Sequence, residues 1–259
     1  MSTLLTSRIQ RARPTRAADI ERALALEIIR GDRAPGSRLP PVRDLARAFG
    51  VTAPTIQRAV DRLAASGLVS ARRGSGVTIR DPRRSGDLSM LPLWFEALAH
   101  QPQQAATVLA DFLALRRVVA AHLVRSAAPR IIAAAPLLAA QLAAVEAATS
   151  LDAVAEADVA FTGTVVEAAG QFAVAAVFHT IEQLVREVPH LAEALYGDRA
   201  YHRALLRRAA IALTGVSPDA AAAALEQTLA AWDRRTVARF LTRLGAAGSL
   251  SDHEVGSSS

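Results

Sequence analysis

The chain contains no cysteine, so it forms no disulfide, offers no thiolate nucleophile and holds no metal through sulfur. That suits a reducing compartment. It contains no lysine either, since all 30 basic residues are arginine. A coding bias towards Arg and Ala accounts for that absence, which therefore excludes little. No apolar run follows the opening "MSTLLTSRIQRARPTR", so no secretory signal pattern is read there. Long apolar runs are missing throughout. Every Ala/Leu/Val stretch is broken by Arg, Glu, Gln or His before it reaches the roughly 20 residues that span a bilayer. The expectation is a cytoplasmic protein with no membrane partner.

What is present is an uneven distribution of charge. From Met1 to Arg84 there are 17 arginines against seven acidic residues, a local +10. The remainder carries 13 arginines against 17 acidic residues, or −4, which leaves the formal +6 of the whole. A basic N-terminal third on a mildly acidic remainder reads as a polyanion-binding module joined to something else. With 259 residues there is room for two ordinary domains.

Residues 1–14, including "SRIQRARP", read as a flexible basic arm that tracks phosphate or is simply solvated. From Thr15 to Arg30, Ile20, Leu24, Leu26, Ile28 and Ile29 supply the apolar side of one amphipathic helix. Gly31, Pro35, Gly36 and Pro40 then mark a loop. Pro41 is tolerated in the first turn of a second short helix ending at Phe49, and Gly50 closes it. Thr52 is a good N-cap for a third helix to about Ala65, stopped by Gly67. The period then changes to two: Val69 and Ala71, a glycine-containing turn, then Val77 and Ile79 form a short hairpin. The order helix, helix, three-residue turn, helix, hairpin is a winged helix-turn-helix, here assigned to 15–80. Polar 81–87 is read as a linker.

Beyond Leu88 no strand pattern occurs. Helices are expected near 88–99, 104–127, 131–148, 152–168, 171–188, 199–213 and 218–245, with Ser217-Pro218 as N-cap and first-turn proline of the last. The fold class expected is mainly α: an N-terminal winged helix-turn-helix domain and, over 88–246, a C-terminal all-α antiparallel helical bundle that binds an effector and dimerises. Residues 247–259 read as a disordered tail.

In the third helix Ile56, Val60 and Leu63 fall on one face, towards Leu45, Ala46 and Phe49. The opposite face carries Ala53, Pro54, Gln57 and Arg58, with Arg62 a turn further and Thr52 and Thr55 at the helix start. A major groove admits one helix, whose N-terminal residues reach base edges. Gln57 suits bidentate pairing with adenine. Arg43, Arg58 and Arg62 suit phosphate or guanine. Arg72 and Arg73 beside Gly74, Ser75 and Gly76 form a basic tip that fits the flanking minor groove, where glycine lets the backbone approach closely. Any one of these arginines is as readily a solvated surface charge. Turn length, cap, buried triplet, basic tip and local charge together point to duplex DNA.

These residues carry a resemblance. The run Gly31, Pro35, Gly36, Leu39, Pro40, then Arg43, Leu45, Ala46, and the Gly67-Leu-Val that leads into the wing, resemble the N-terminal domain of the GntR family of bacterial transcription regulators. Two positions where that family often has arginine are Ala53 and Gln57 here, so the resemblance implies an operator different from the usual one. The helical half is similar to the effector domain of the FadR subgroup, closer to its fatty acyl-CoA-responsive branch than to its metal-binding branch. That likeness rests on "LPLWFEAL", "DFLALRRVVAAHLVRSA", "ADVAFTGTVVEAAG" and "AYHRALL". The metal-binding branch implies a carboxylate with histidine four residues on, plus two later histidines. The corresponding positions are Asp158, Thr162, His202 and one near Thr228, so two of four ligands remain and no metal or other cofactor is expected; His122 and His179 are the remote substitutes. An organic effector is expected instead, an acyl-CoA or organic acid, with Arg116, Arg117, Asp158, Thr162, Tyr201 and His202 near its head group.

The function expected is therefore a homodimeric, sequence-specific regulator, a repressor, that binds an inverted-repeat operator under control of a small ligand. Alternatives are a constitutive dimeric DNA binder without ligand, or a metal-dependent organic-acid sensor. Catalysis is not expected. The helical half shows no nucleophile–base pair and no phosphate-cradling glycine loop, and the aminotransferase-like domain of some GntR relatives needs a lysine this chain lacks.

Overall fold

The computed structural model describes residues 16–72, 76–213 and 217–255, without the side chains of Pro189 and of residues beyond Gly245. The arm expected at 1–14, and Arg73, Gly74 and Ser75 of the wing, lie outside the described residues. The chain divides into two compact units that meet between Ala97 and Leu98.

In the first unit α1 (Arg16–Arg30) buries Ala17, Ile20, Leu24, Ala25, Ile28 and Ile29, the stripe its periodicity implies. Helices α2 (Val42–Phe49) and α3 (Ala53–Ala65) follow. Gly50 ends α2 in the left-handed region at φ 61°, where the Val51 N–H donates to the Ala46 carbonyl. That places a three-residue turn before α3. The core joins Ile20, Leu24 and Ile28 of α1, Leu45 of α2, and Ile56, Ala59, Val60 and Leu63 of α3, with Ala46 and Phe49 packed at its margin. Strands β1 (Val69–Arg72) and β2 (Gly76–Ile79) pair antiparallel with Val69 opposite Ile79 and Arg72 opposite Gly76. This is the winged helix-turn-helix that the sequence implies.

The unit does not stop at residue 80. Within the stretch read as a linker, Asp81 accepts from the Arg83 N–H and caps the short helix α4 (Pro82–Ser85). Asp87 likewise caps a single 3-10 turn, Leu88–Met90, which leads into α5 (Leu91–Ala97). Met90 and Ala97 enter the core of the first unit, and Arg22 of α1 lies 2.7 Å from Glu96. The apolar residues of 88–97, read as the start of the effector domain, thus close the winged unit. Gly67 marks how closely these pieces fit: its φ is +78°, and a Cβ there would stand 2.4 Å from the Ser85 carbonyl oxygen. Gly67→Ala combines backbone strain with a backbone clash and is expected to cost about 2–3 kcal/mol, read as a lowered urea midpoint of the full chain.

The second unit is built on two long helices packed along each other, α6 (Pro102–Ala133) and α12 (Pro218–Val255). Between them in sequence lie α7 (Ala135–Ala147), α8 (Leu151–Ala169), α9 (Phe172–Glu187), α10 (Pro189–Tyr196) and α11 (Arg199–Leu213). Its described residues contain no strand. Three details depart from expectation. Helix α6 runs through Pro129, which deletes one N–H donor, because Ala127, Ala128 and Ile131 around it are buried and hold the helix together. The eight-residue α10 stands where no element was expected. Helix α12 continues to Val255, past the boundary at 247, because neither a proline nor a left-handed glycine ends it. Among the described residues no single helix is long and apolar enough to cross a membrane; the pair α6–α7 reaches that length and composition only across a 94° bend.

Candidate nucleic-acid interface and ligand cavity

Ile56, Ala59, Val60 and Leu63 are at most 1% exposed, so the roll of α3 about its axis is fixed. Ala53, Pro54, Gln57, Arg58, Asp61 and Arg62 consequently face outwards, and Thr55 is half-buried at their edge. Thr52 occupies the N-cap position with extended backbone, but its hydroxyl lies 2.9 Å from that of Thr55 rather than on a backbone N–H. The start of α3 thus presents the positive end of the helix dipole beside two hydroxyls, which favours phosphate.

The polar side chains on this face differ in freedom. Gln57 Nε2 donates to Asp61 Oδ1 at 2.9 Å, so reading a base requires it to leave an intrahelical partner. Arg62 is turned to Glu21 of α1 at 3.1 Å, which ties it to the unit's own surface. Such an exposed pair is worth about 0–1 kcal/mol and opens readily. Arg43, its side chain 86% exposed, is only 4.0 Å from Asp44 and reaches solvent, as does Arg58. Arg72 is exposed at the end of β1, opposite Gly76, whose φ of +79° turns the chain there.

In the second unit a cavity of about 120 Å³ lies among α6, α8, α11 and α12. Its wall is mostly apolar, Leu123, Val124, Phe161, Leu206, Leu229 and Trp232 among it, and Arg116, Asp158 and Thr162 form its polar part. Arg116 does not point freely into the space. Arg116 Nη2 lies 2.5 Å from Asp233 Oδ1, Arg117 donates to the other oxygen of the same carboxylate, and the Arg116 guanidinium stacks over Trp232 at 4.8 Å. Burial pushes the Asp233 carboxyl above its ordinary range, against the pull of the two guanidinium groups.

Asp158 is 7% exposed and accepts from the Tyr196 hydroxyl at 3.0 Å through Oδ2. Burial, then the Asp158 charge, raises the Tyr196 phenol well above its usual value. His202, wholly buried, has Nε2 3.4 Å from Asp158 Oδ1 without hydrogen-bond geometry. Its ring meets Tyr196 edge-on at 5.0 Å and lies 5.1 Å from Trp232. Among the described residues Asp158 Oδ1, both His202 nitrogens and Arg116 Nε are buried with no hydrogen-bond partner.

Comparison with known proteins fits this arrangement to a family. The model of the gntR family of bacterial regulatory proteins matches residues 16–79. The HTH-type transcriptional regulator Mce2R of Mycobacterium tuberculosis (strain CDC 1551 / Oshkosh) is 42% identical over 69 residues, which is 27% of this chain and 29% of that protein. The HTH-type transcriptional regulator Rv0494 of M. tuberculosis (strain ATCC 25618 / H37Rv) is 30% identical over 225 residues, covering 86% of this chain and 90% of that protein. The chain belongs to the gntR family. It spans 29% of the length of Mce2R, so the likeness to that relative concerns the winged unit alone. A solved GntR-family regulator from Pseudomonas syringae pv. tomato shares 19% identity, covering 91% of this chain and 89% of that one at a TM-score of 0.41. The structure of Lar from Listeria monocytogenes shares 17%, covering 86% and 96% at 0.49. The family is one of transcription regulators, not of enzymes.

For this gntR-family chain the structure brings Arg116, Asp158, Thr162 and His202 together at one place and leaves two expected partners elsewhere. Arg117 faces Asp233 and does not line the cavity. Tyr201 stacks against Arg235 at 4.3 Å and lines a separate groove with Ala204, Arg208 and Thr228. Its backbone N–H donates to Asp198, the main reason that carboxyl is held below its usual range. The tyrosine that does reach Asp158 is Tyr196, on the unexpected α10. Nor does the donor set fit a metal ion. Position 162 offers a threonine hydroxyl, and no group of three or more His, Cys, Asp or Glu able to hold one occurs among the described residues.

Proposed function

We propose that this chain is a homodimeric repressor that reads an inverted-repeat operator through α3 and releases it when a small effector occupies the cavity of the second unit. The observation that carries the DNA-reading part is the outward face of α3, with Gln57 and Arg58 held in register by a buried opposite face. GntR regulators bind DNA operators and typically act as dimers, which supports the operator and the dimer. One winged unit covers a half-site, and two-fold symmetry in the protein matches two-fold symmetry in the operator. An effector acts by binding more tightly to the dimer whose recognition helices no longer match the half-site spacing.

The test pairs duplexes selected from a random pool with analytical ultracentrifugation of the full chain. The account expects the selected duplexes to be inverted repeats bound by two chains. A selected single half-site bound by one chain would contradict it. Within such an operator, Gln57→Ala is expected to forfeit about 1–3 kcal/mol of discrimination at one base pair in each half-site while affinity for random DNA changes little. Equal losses on specific and random duplexes would remove Gln57 as a reader.

A further inference from the structure

The cavity's polar end has a definite charge balance. Of the residues that line it, Arg116 brings one positive charge and Asp158 one negative, while Arg117 shares the Asp233 carboxylate outside the cavity wall. Arg116, which would be the natural anchor for an acid, is already committed to Asp233. Beside the two buried His202 nitrogens behind the wall, the residues that line the cavity themselves leave one donor and one acceptor unmet, Arg116 Nε and Asp158 Oδ1. An ionised carboxylate oxygen has room for more than one donor, so even a relaxed His202 contact leaves capacity on Asp158. An anionic ligand would set a second negative charge beside Asp158, and an ammonium a second positive charge beside Arg116.

We propose that this cavity binds a small neutral hydroxyl compound, its O–H donating to Asp158 Oδ1 and its oxygen accepting from Arg116 Nε, with the apolar body against Phe161, Leu206 and Leu229. The proposal rests on the reading of the cavity as the effector site and replaces the acidic head group with a neutral one. The walls are overwhelmingly apolar, and 120 Å³ is slightly less than the roughly 150 Å³ that admits benzene, so the body has about six carbon atoms. The hydroxyl is the smallest group that supplies one donor and one acceptor together.

The test uses the full chain and three probes of equal length: hexan-1-ol, hexanoate and hexylammonium, followed by thermal unfolding and calorimetry at neutral pH. Hexan-1-ol at about five times its Kd is expected to raise the unfolding midpoint by about 2–4 °C. At the same concentration hexanoate and hexylammonium are expected to raise it by less than a third as much. Ala120→Leu, one turn along α6 from Arg116, fills the cavity and is expected to abolish the shift for all three probes. Asp158→Asn removes the negative charge and is expected to narrow the preference for hexan-1-ol over hexanoate at least tenfold. Hexanoate binding the wild-type chain as tightly as hexan-1-ol would overturn the neutral-ligand proposal and leave the effector reading standing. A shift that survives Ala120→Leu would place the binding elsewhere and overturn it too. If no probe shifts a chain that still binds its selected duplex, the cavity is not an effector site, and the proposal falls while the DNA reading stands.

Discussion

Replacing Arg43 and Arg58 together with glutamate is expected to lower affinity for every duplex, specific or random, by about 1000-fold per bound winged unit at 0.1 M salt. Each charge-assisted hydrogen bond to phosphate contributes about 1.5–3 kcal/mol, so losing two removes about 4 kcal/mol after partial compensation, and 1.4 kcal/mol is a factor of ten. Both side chains lie in solvent in the free protein, and Arg43 touches only a distant Asp44, so the substitutions leave the core of the winged unit intact. Surface changes of this kind stay within about 0.5 kcal/mol in stability. Two fewer neutralised phosphates per chain, four per operator-bound dimer, should also reduce the slope of log affinity against log salt by about four. A loss confined to one sequence, with an unchanged salt slope, would show that these arginines read bases instead.

Asp233→Ala is expected to lower the thermal midpoint by about 6–12 °C. Arg116 and Arg117 are mostly withdrawn from water, with side chains 18% and 26% exposed, and both rely on this carboxylate, itself 5% exposed. Removing it leaves two partly buried cations without a counter-charge, a loss of about 3 kcal/mol once the residual exposure of Arg117 is discounted, and each kcal/mol moves the midpoint of a unit this size by about 2–4 °C. The raised Asp233 carboxyl qualifies the meaning of that number. Because its folded-state value lies above its unfolded one, the native unit holds the proton more tightly, so stability falls as pH rises from about 4 through the folded-state value. The network therefore adds little net stability when intact and costs much when broken. Asp233→Asn keeps hydrogen-bonding capacity without the titration, and its stability should lack that downward slope.

The first unit was legible because its punctuation is local. Gly50 at φ 61° and Gly67 at φ 78° end helices where glycine has no steric competitor, and the spacing of Ile56, Val60 and Leu63 fixes which residues of α3 face out. Its true extent was not legible, because Met90 and Trp94 have the same apolar look whether they start a bundle or close a winged core. In the second unit the errors are non-local. Helix α10 has eight residues and begins with Pro189, which in sequence reads as a break, so Tyr196 went unseen and Tyr201, the more prominent motif residue, was expected in its place. Arg116 and Arg117 were expected near the head group of an effector, not against a carboxylate of the chain itself. The one they find, Asp233, is more than a hundred residues away on α12, and no periodicity within α6 points to it.

The reading of DNA by α3 is tested most directly by competition. The full chain, bound to the best duplex from a random selection at physiological salt, is challenged with a scrambled duplex of equal length and with heparin. Winged units seated in a major groove predict a preference of about 1000-fold or more for the selected sequence, reduced in Gln57→Ala and unchanged in Arg58→Ala, which weakens all duplexes alike. Displacement by scrambled duplex and heparin at the same concentrations as by the selected one would mean that the basic unit senses charge alone.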